Sequence, residues 1–188
     1  MNNAQKYLVA VAIVLLVSGC ASTNVPPYSP QYETIDRLRK LDIEKMSVGE
    51  VGPRDPDAAV NQITIRGLAT LKSPSGTFAS YLENALRSDL MEMGFYDPTS
   101  TTRIDAIIFK NDIEAGLSTG TGVMEVMLTI KKKGKRTFEK TYVANIQFES
   151  AFVGAMAFDR SIPQYPNLVR ALLRQVYRDS AFIKAVKK

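Results

Sequence analysis

The chain of 188 residues has no histidine, a single cysteine, and no apolar run longer than eleven residues. Without histidine it lacks the commonest general acid/base and the commonest metal ligand. One cysteine has no partner, so no disulfide forms within the chain. Eleven residues at about 1.5 Å each span about 17 Å, short of a bilayer core of about 30 Å. Catalysis would then rest on Ser–Lys chemistry or paired carboxylates. No Ser-x-x-Lys nucleophile motif stands in a suitable place, and the acids are scattered over expected surfaces. Asp105, Asp112 and Glu114 lie close in sequence, and oxygen ligands of that kind hold hard cations. The Gly-and-acid pattern of a calcium loop is missing, however, and acids on a strand and its exit read as solvated. No catalytic residue, metal or cofactor is expected, and the chain does not read as an enzyme.

What is present begins at the N-terminus. Residues 1–6 are polar and carry one charge, Lys6; residues 7–17, "YLVAVAIVLLV", carry none; Ser18 and Gly19 then lead into Cys20. A positive start, a short apolar centre and small residues describe an export signal that is removed. "VSGC", residues 17–20, resembles the bacterial lipobox. That resemblance implies diacylglycerol on the Cys20 sulfur, cleavage before Cys20 and acylation of the freed amine, with residues 1–19 as the signal peptide. Two or more acyl chains anchor stably, whereas one does so only marginally. Residue 21 is Ala rather than Asp, which under the sorting rule of the same resemblance implies a periplasm-facing address on the outer membrane.

Removing residues 1–19 takes away Lys6 and no acid, which leaves 23 basic and 19 acidic side chains. That mildly basic balance suits anionic lipid or cell-wall carboxylates. Residues 20–35 carry three prolines among small polar residues and read as a flexible lipidated tether. Residues 36–188 are expected to form one domain. Within it, residues 36–41 suit a helical turn, 46–51 a short strand, and "NQITIRG" a strand through Ile63 and Ile65. "SPSGTFASYLENALRSDLMEMGF" keeps Phe78, Tyr81, Leu82, Ala85, Leu86, Leu90 and Met93 on one stripe, with Glu83, Arg87 and Asp89 toward water. Ser75 or Thr77 can cap its start and Gly94 its end. Three strands follow: one over residues 103–113, one with Met124, Val126, Leu128 and Ile130 on one face, and one with Phe138, Tyr142, Ala144, Ile146 and Phe148 on one face. With no crossover helix between them they should form an antiparallel meander, Gly134 turning the last pair. "NLVRALLRQVYRD" closes the pattern as a helix with Pro166 in its first turn, and residues 180–188 suit a last short one. The expected fold is α+β and two-layered: an antiparallel sheet of about four strands with two helices on one face, in the order β-α-β-β-β-α.

That order, behind a lipobox and a proline-bearing tether, resembles the small proteobacterial outer-membrane lipoproteins of the YajG type. It is similar too to α/β periplasmic helpers such as the lipopolysaccharide-assembly lipoprotein partner and the activators of penicillin-binding proteins. The resemblance rests on the two helices and the meander between residues 60 and 180, and it transfers no functional residue beyond Cys20.

Several surfaces stand out. Lys131, Lys132, Lys133, Lys135 and Arg136 gather at a hairpin tip, either as a contact for an anionic surface or as solvated charges that deter edge pairing. A nucleic-acid role would need aromatic platforms among these bases, and none is expected. Arg170, Arg174 and Arg178 form a basic stripe, which reads as the wet side of an amphipathic helix. "GLSTGTG", residues 116–122, lacks the Gly-Lys-Ser/Thr ending of a phosphate cradle and reads as a mobile strand connection. Phe152, Met156 and Phe158 either offer an apolar contact to a partner or fill the end of the core. The expected function is a membrane-anchored, non-enzymatic binding or assembly module whose partner is an envelope protein or polymer. The alternative is a carrier or chaperone for a lipidic ligand, held in a cavity between sheet and helices.

Overall fold

The computed structural model of the chain describes residues 21–55 and 62–188; residues 7–17, the lipobox and Cys20 lie outside the described residues. The architecture is α+β, as the alternating and helical stripes require. Strands β5 (Thr102–Ala115), β6 (Thr119–Lys132) and β7 (Lys135–Glu149) form the expected antiparallel meander. On β6 and β7 its inner face is the predicted one, with Met124, Val126, Leu128, Ile130, Tyr142 and Ala144 buried and Phe138, Ile146 and Phe148 half-buried; Ile104 and Ala106 of β5 join them.

The sheet is mixed, however, where an antiparallel one was expected. Its fourth strand, β2 (Ser47–Pro53), pairs parallel with β5, giving the order β2-β5-β6-β7. A parallel neighbour needs a crossover, and helix α2 (Phe78–Met93) supplies it between β2 and β5. The strand through Ile63 and Ile65 does not join this sheet. As β3 (Ile63–Ile65) it makes a hairpin with β4 (Ala69–Lys72), and β1 (Ala21–Asn24) adds to β4 in parallel.

Helices α2 and α4 (Gln164–Arg178) cover one face of the four-stranded sheet. The α2 start is capped by the Thr77 hydroxyl, which accepts from the Ser80 amide at 3.0 Å. Its end is turned by Gly94 at φ 77°, the left-handed region where a Cβ is disfavoured. Phe78, Tyr81 and Tyr165 stack where the two helices meet, with ring centroids 4.3 and 5.1 Å apart. Three shorter helices complete the described residues: α1 (Tyr32–Arg39), α3 (Gly154–Ser161) and α5 (Ser180–Val186).

Residues 21–35 depart most from expectation. Instead of a free tether they form β1, a packed extended segment and the start of α1. Val25 is buried, and its amide donates to the Lys72 carbonyl at 2.8 Å. The Tyr81 hydroxyl donates to the Pro26 carbonyl at 2.8 Å, and Tyr28 packs edge-on against Tyr81. Prolines do not prevent this, because an extended segment held by its carbonyls and side chains needs few amide donors.

Candidate functional site

Most side chains of the four-stranded sheet that point away from α2 and α4 are exposed or half-exposed, with Asp105 and Thr129 buried among them. They line an open trough of about 460 Å³, with Glu50, Asp105, Ile107, Met127, Lys131 and Glu139 among its walls. Ile107 and Met127 are cross-strand partners in its floor. At one end of the trough Asp105 gathers cations: Lys131 Nζ lies at 2.7 Å, Arg103 Nε at 2.9 Å, and the Glu50 amide donates at 3.0 Å. Burial alone raises this carboxyl. Lys131, the Glu50 amide and Arg103 outweigh it and hold the group below the usual carboxylate range. Gly49 permits that approach, since a Cβ there would stand 2.1 Å from Asp105 Oδ1. Asp105 is therefore an organiser of positive charge. Among the described residues no acid cluster is arranged to hold a metal ion.

The basic hairpin is largely internally satisfied. Lys131 goes to Asp105, Lys132 Nζ reaches Glu44 Oε1 at 2.8 Å, and Arg136 reaches Glu139 at 2.7 Å. Lys133 and Lys135 flank Gly134 at the turn and carry no ion pair among the described residues. The arginine stripe of α4, expected to be a wet face, clamps the N-terminal segment. Arg170 Nε donates to the Ser29 carbonyl at 2.9 Å and its guanidinium lies over the Tyr28 ring; Arg174 donates to Gln31 Oε1 at 3.2 Å; Arg178 stands 3.9 Å from Glu33.

Asp89, placed toward water by the helical stripe, is buried. The Tyr28 hydroxyl donates to its carboxylate at 3.0 Å, with the Tyr177 hydroxyl close by. Burial pushes the Asp89 carboxyl up to about 6, against the two tyrosines and Arg170, which pull it down. The helical period could not show this, because the partners arrive from distant segments. Where α1, α2 and α4 meet around it, the free space is about 10 Å³, room for about one water.

Phe152 and Met156 lie exposed, while Phe158 is half-buried against the core. Core filling therefore describes only Phe158. The exposed pair belongs to a larger cluster: Phe152 is 79% exposed, Leu68 70%, Leu117 66%, Val153 55% and Met156 48%. Arg66, at the β3–β4 turn, draws the three loops together. Its Nε donates to the Ala115 carbonyl at 2.8 Å, and its two other nitrogens to the carbonyls of Gly116, Ala151 and Phe152 at 2.5, 2.6 and 2.9 Å. The glycine-rich stretch beside it is no mobile connection, since Thr119 to Gly122 open β6. Gly120 lies under the Phe148 ring, where a Cβ would meet ring carbons 2.2 to 2.7 Å away.

A two-layer α+β body with one bare sheet face is the class these features define. Among solved structures, a Xanthomonas campestris protein of the DUF330 family superposes with TM-score 0.55 at 10% identity, over 84% of this chain and 95% of that one. It shares the fold. A minor lipoprotein of Acinetobacter baumannii aligns at 16% identity over 79% of this chain and 97% of its own, with TM-score 0.46. No protein-family model and no curated protein matches the chain.

Proposed function

We propose that the chain is a lipid-anchored envelope protein of the outer membrane, kin to the YajG-type lipoproteins, whose folded body is a non-enzymatic binding or assembly module. The anchor is argued from "VSGC" behind residues 7–17, and no described helix is long and apolar enough to cross a membrane. The observation that carries the module is the asymmetry of the main sheet. One face is sealed by α2 and α4, and the other bears an open trough of about 460 Å³ floored by Ile107 and Met127. Apolar groups set among charged ones, on rigid strands, suit a protein or polymer contact. The carrier reading is weaker. A lipidic ligand needs an enclosed volume of about 300 Å³ or more, whereas the side chains that meet between sheet and helices, among them Leu82, Leu86, Leu172, Val126 and Leu128, belong to one continuous buried core.

A photoreactive residue placed at Met127 in intact cells should yield a discrete adduct that Ile107→Arg abolishes. No adduct, or one indifferent to Ile107→Arg, would remove the trough from the account. Turnover of an envelope substrate that is lost on replacing a single carboxylate would displace the module reading altogether.

A further inference from the structure

Five large apolar side chains at one end of the molecule are given no role by the fold or by the bare sheet face. Leu68 lies on the β3–β4 turn, Leu117 on the β5–β6 turn, and Phe152, Val153 and Met156 on the loop and helix after β7. Arg66 binds carbonyls from two of these loops while sitting on the third, so the group shares one surface. Leu68 also lies 3.7 Å from where a Cβ on Gly154 would stand, which puts the turn against α3.

The N-terminus enters at this same end. Ala21 is the register partner of Ala69, one residue beyond Leu68, and β1 runs from there into the body. With residues 21–35 bound to the domain, no slack chain separates position 20 from the fold. The basic turn at Gly134 stands at the other end of the β6–β7 ladder. Fourteen residues of β6 at about 3.4 Å each place it about 45 Å away.

From this placement we infer that Leu68, Leu117, Phe152, Val153 and Met156 form a membrane-facing foot, which enters the headgroup and upper acyl region of the bilayer that anchors Cys20. The inference rests on the anchored reading above. A bilayer is the one apolar partner that the chain's entry point brings to these loops automatically. Apolar faces of interfacial segments bury to a depth of about 5 to 10 Å in such an interface, and here Arg66 already satisfies the loop carbonyls of Ala115, Gly116, Ala151 and Phe152. Acyl chains and foot together fix the orientation of the body, with the long strands rising from the surface and Lys133 and Lys135 held at the far tip. The basic hairpin therefore does not touch the anchoring membrane.

The chain contains no tryptophan, so a single introduced one reports its own surroundings. Full-length acylated Phe152→Trp protein, reconstituted in phosphatidylcholine vesicles, should show blue-shifted emission that is quenched when the acyl chains carry bromine. Leu117→Trp on the neighbouring loop should be quenched likewise, and Lys135→Trp should emit as in water and lose no intensity. If Phe152→Trp and Leu117→Trp stay unquenched in a protein whose acyl groups are confirmed by mass spectrometry, the foot is refuted and the anchor stands. Burial of the patch against a second copy or another protein would give that same unquenched result. An unmodified Cys20 thiol in the spectrum would refute the anchor first, and the foot with it.

Discussion

At Gly134 the β6–β7 ladder ends among lysines and an arginine, three of them held by Asp105, Glu44 and Glu139; beyond Thr119 and Glu149 it ends beside Leu117, Phe152 and Val153, which lie open. The two ends are stabilised by different means. At the charged end the side chains themselves are tied down, so their pairing is the structure. At the apolar end Arg66 binds main-chain carbonyls, which leaves the neighbouring side chains out of the scaffold. A loop held through its backbone can display any side chain, so the exposed phenylalanine, leucines and methionine are not there to stabilise the fold.

The largest effect should come from removing the device that holds the apolar end. Arg66→Ala strands four carbonyls, and hydrogen bonds to charged groups contribute about 1.5 to 3 kcal/mol each before solvent replaces the exposed ones. A net loss of about 3 to 4 kcal/mol is expected, read as a Tm lower by about 10 °C.

Next comes the latch on the segment that enters at that end. The Asp89 carboxyl is raised from 3.8 to about 6 in the folded protein. Its stabilising proton is therefore fully present below the lower value and is lost as pH rises through the higher one. Native stability should fall between pH 4 and pH 7, whereas Asp89→Asn should stay level and exceed it at pH 7.5 by about 2 to 3 kcal/mol in denaturant unfolding.

The charged end should respond less. Asp105→Ala leaves Lys131 and Arg103 without their acid, but both are partly exposed. Solvent screening reduces the loss to about 1 kcal/mol, and high salt should shrink it further. Smallest of all, Phe152→Ser with Met156→Ser, or Lys133→Ser with Lys135→Ser, should each change unfolding free energy by less than about 0.5 kcal/mol. A large loss from the phenylalanine–methionine pair would break the contrast, because it would make those side chains part of the scaffold.

The parts of the fold legible in the sequence were those written in a local period. The α2 stripe and its Gly94 stop, the inner faces of β6 and β7, and the turn at Gly134 all follow from spacing alone. The parallel pairing of β2 with β5 does not, because its register joins residues about fifty-five apart through no repeating pattern. Residues 21–35 looked like tether for a related reason. Beyond the four rungs of β1 on β4 they are held by isolated long-range contacts, such as Tyr28 with Asp89 and Arg170 with Ser29, 61 and 141 residues apart. Asp89 sat on a water-facing stripe until Tyr28 covered it. The apolar run containing Phe152 admits both core filling and partner contact on sequence alone, because composition says nothing of which side of a loop faces out. For the candidate surfaces, the residue types were visible early, but only the register of β1 on β4 put the chain's entry point beside Leu68.

That register has a mechanical consequence. A pull on position 21, directed away from the body, runs along β1 and loads its four rungs with β4 in shear, so they yield together rather than unzipping one at a time. On the anchored reading proposed above, whatever drags on that mooring, through thermal undulation or a partner's tug, would meet its stiffest response in the first strand of the domain.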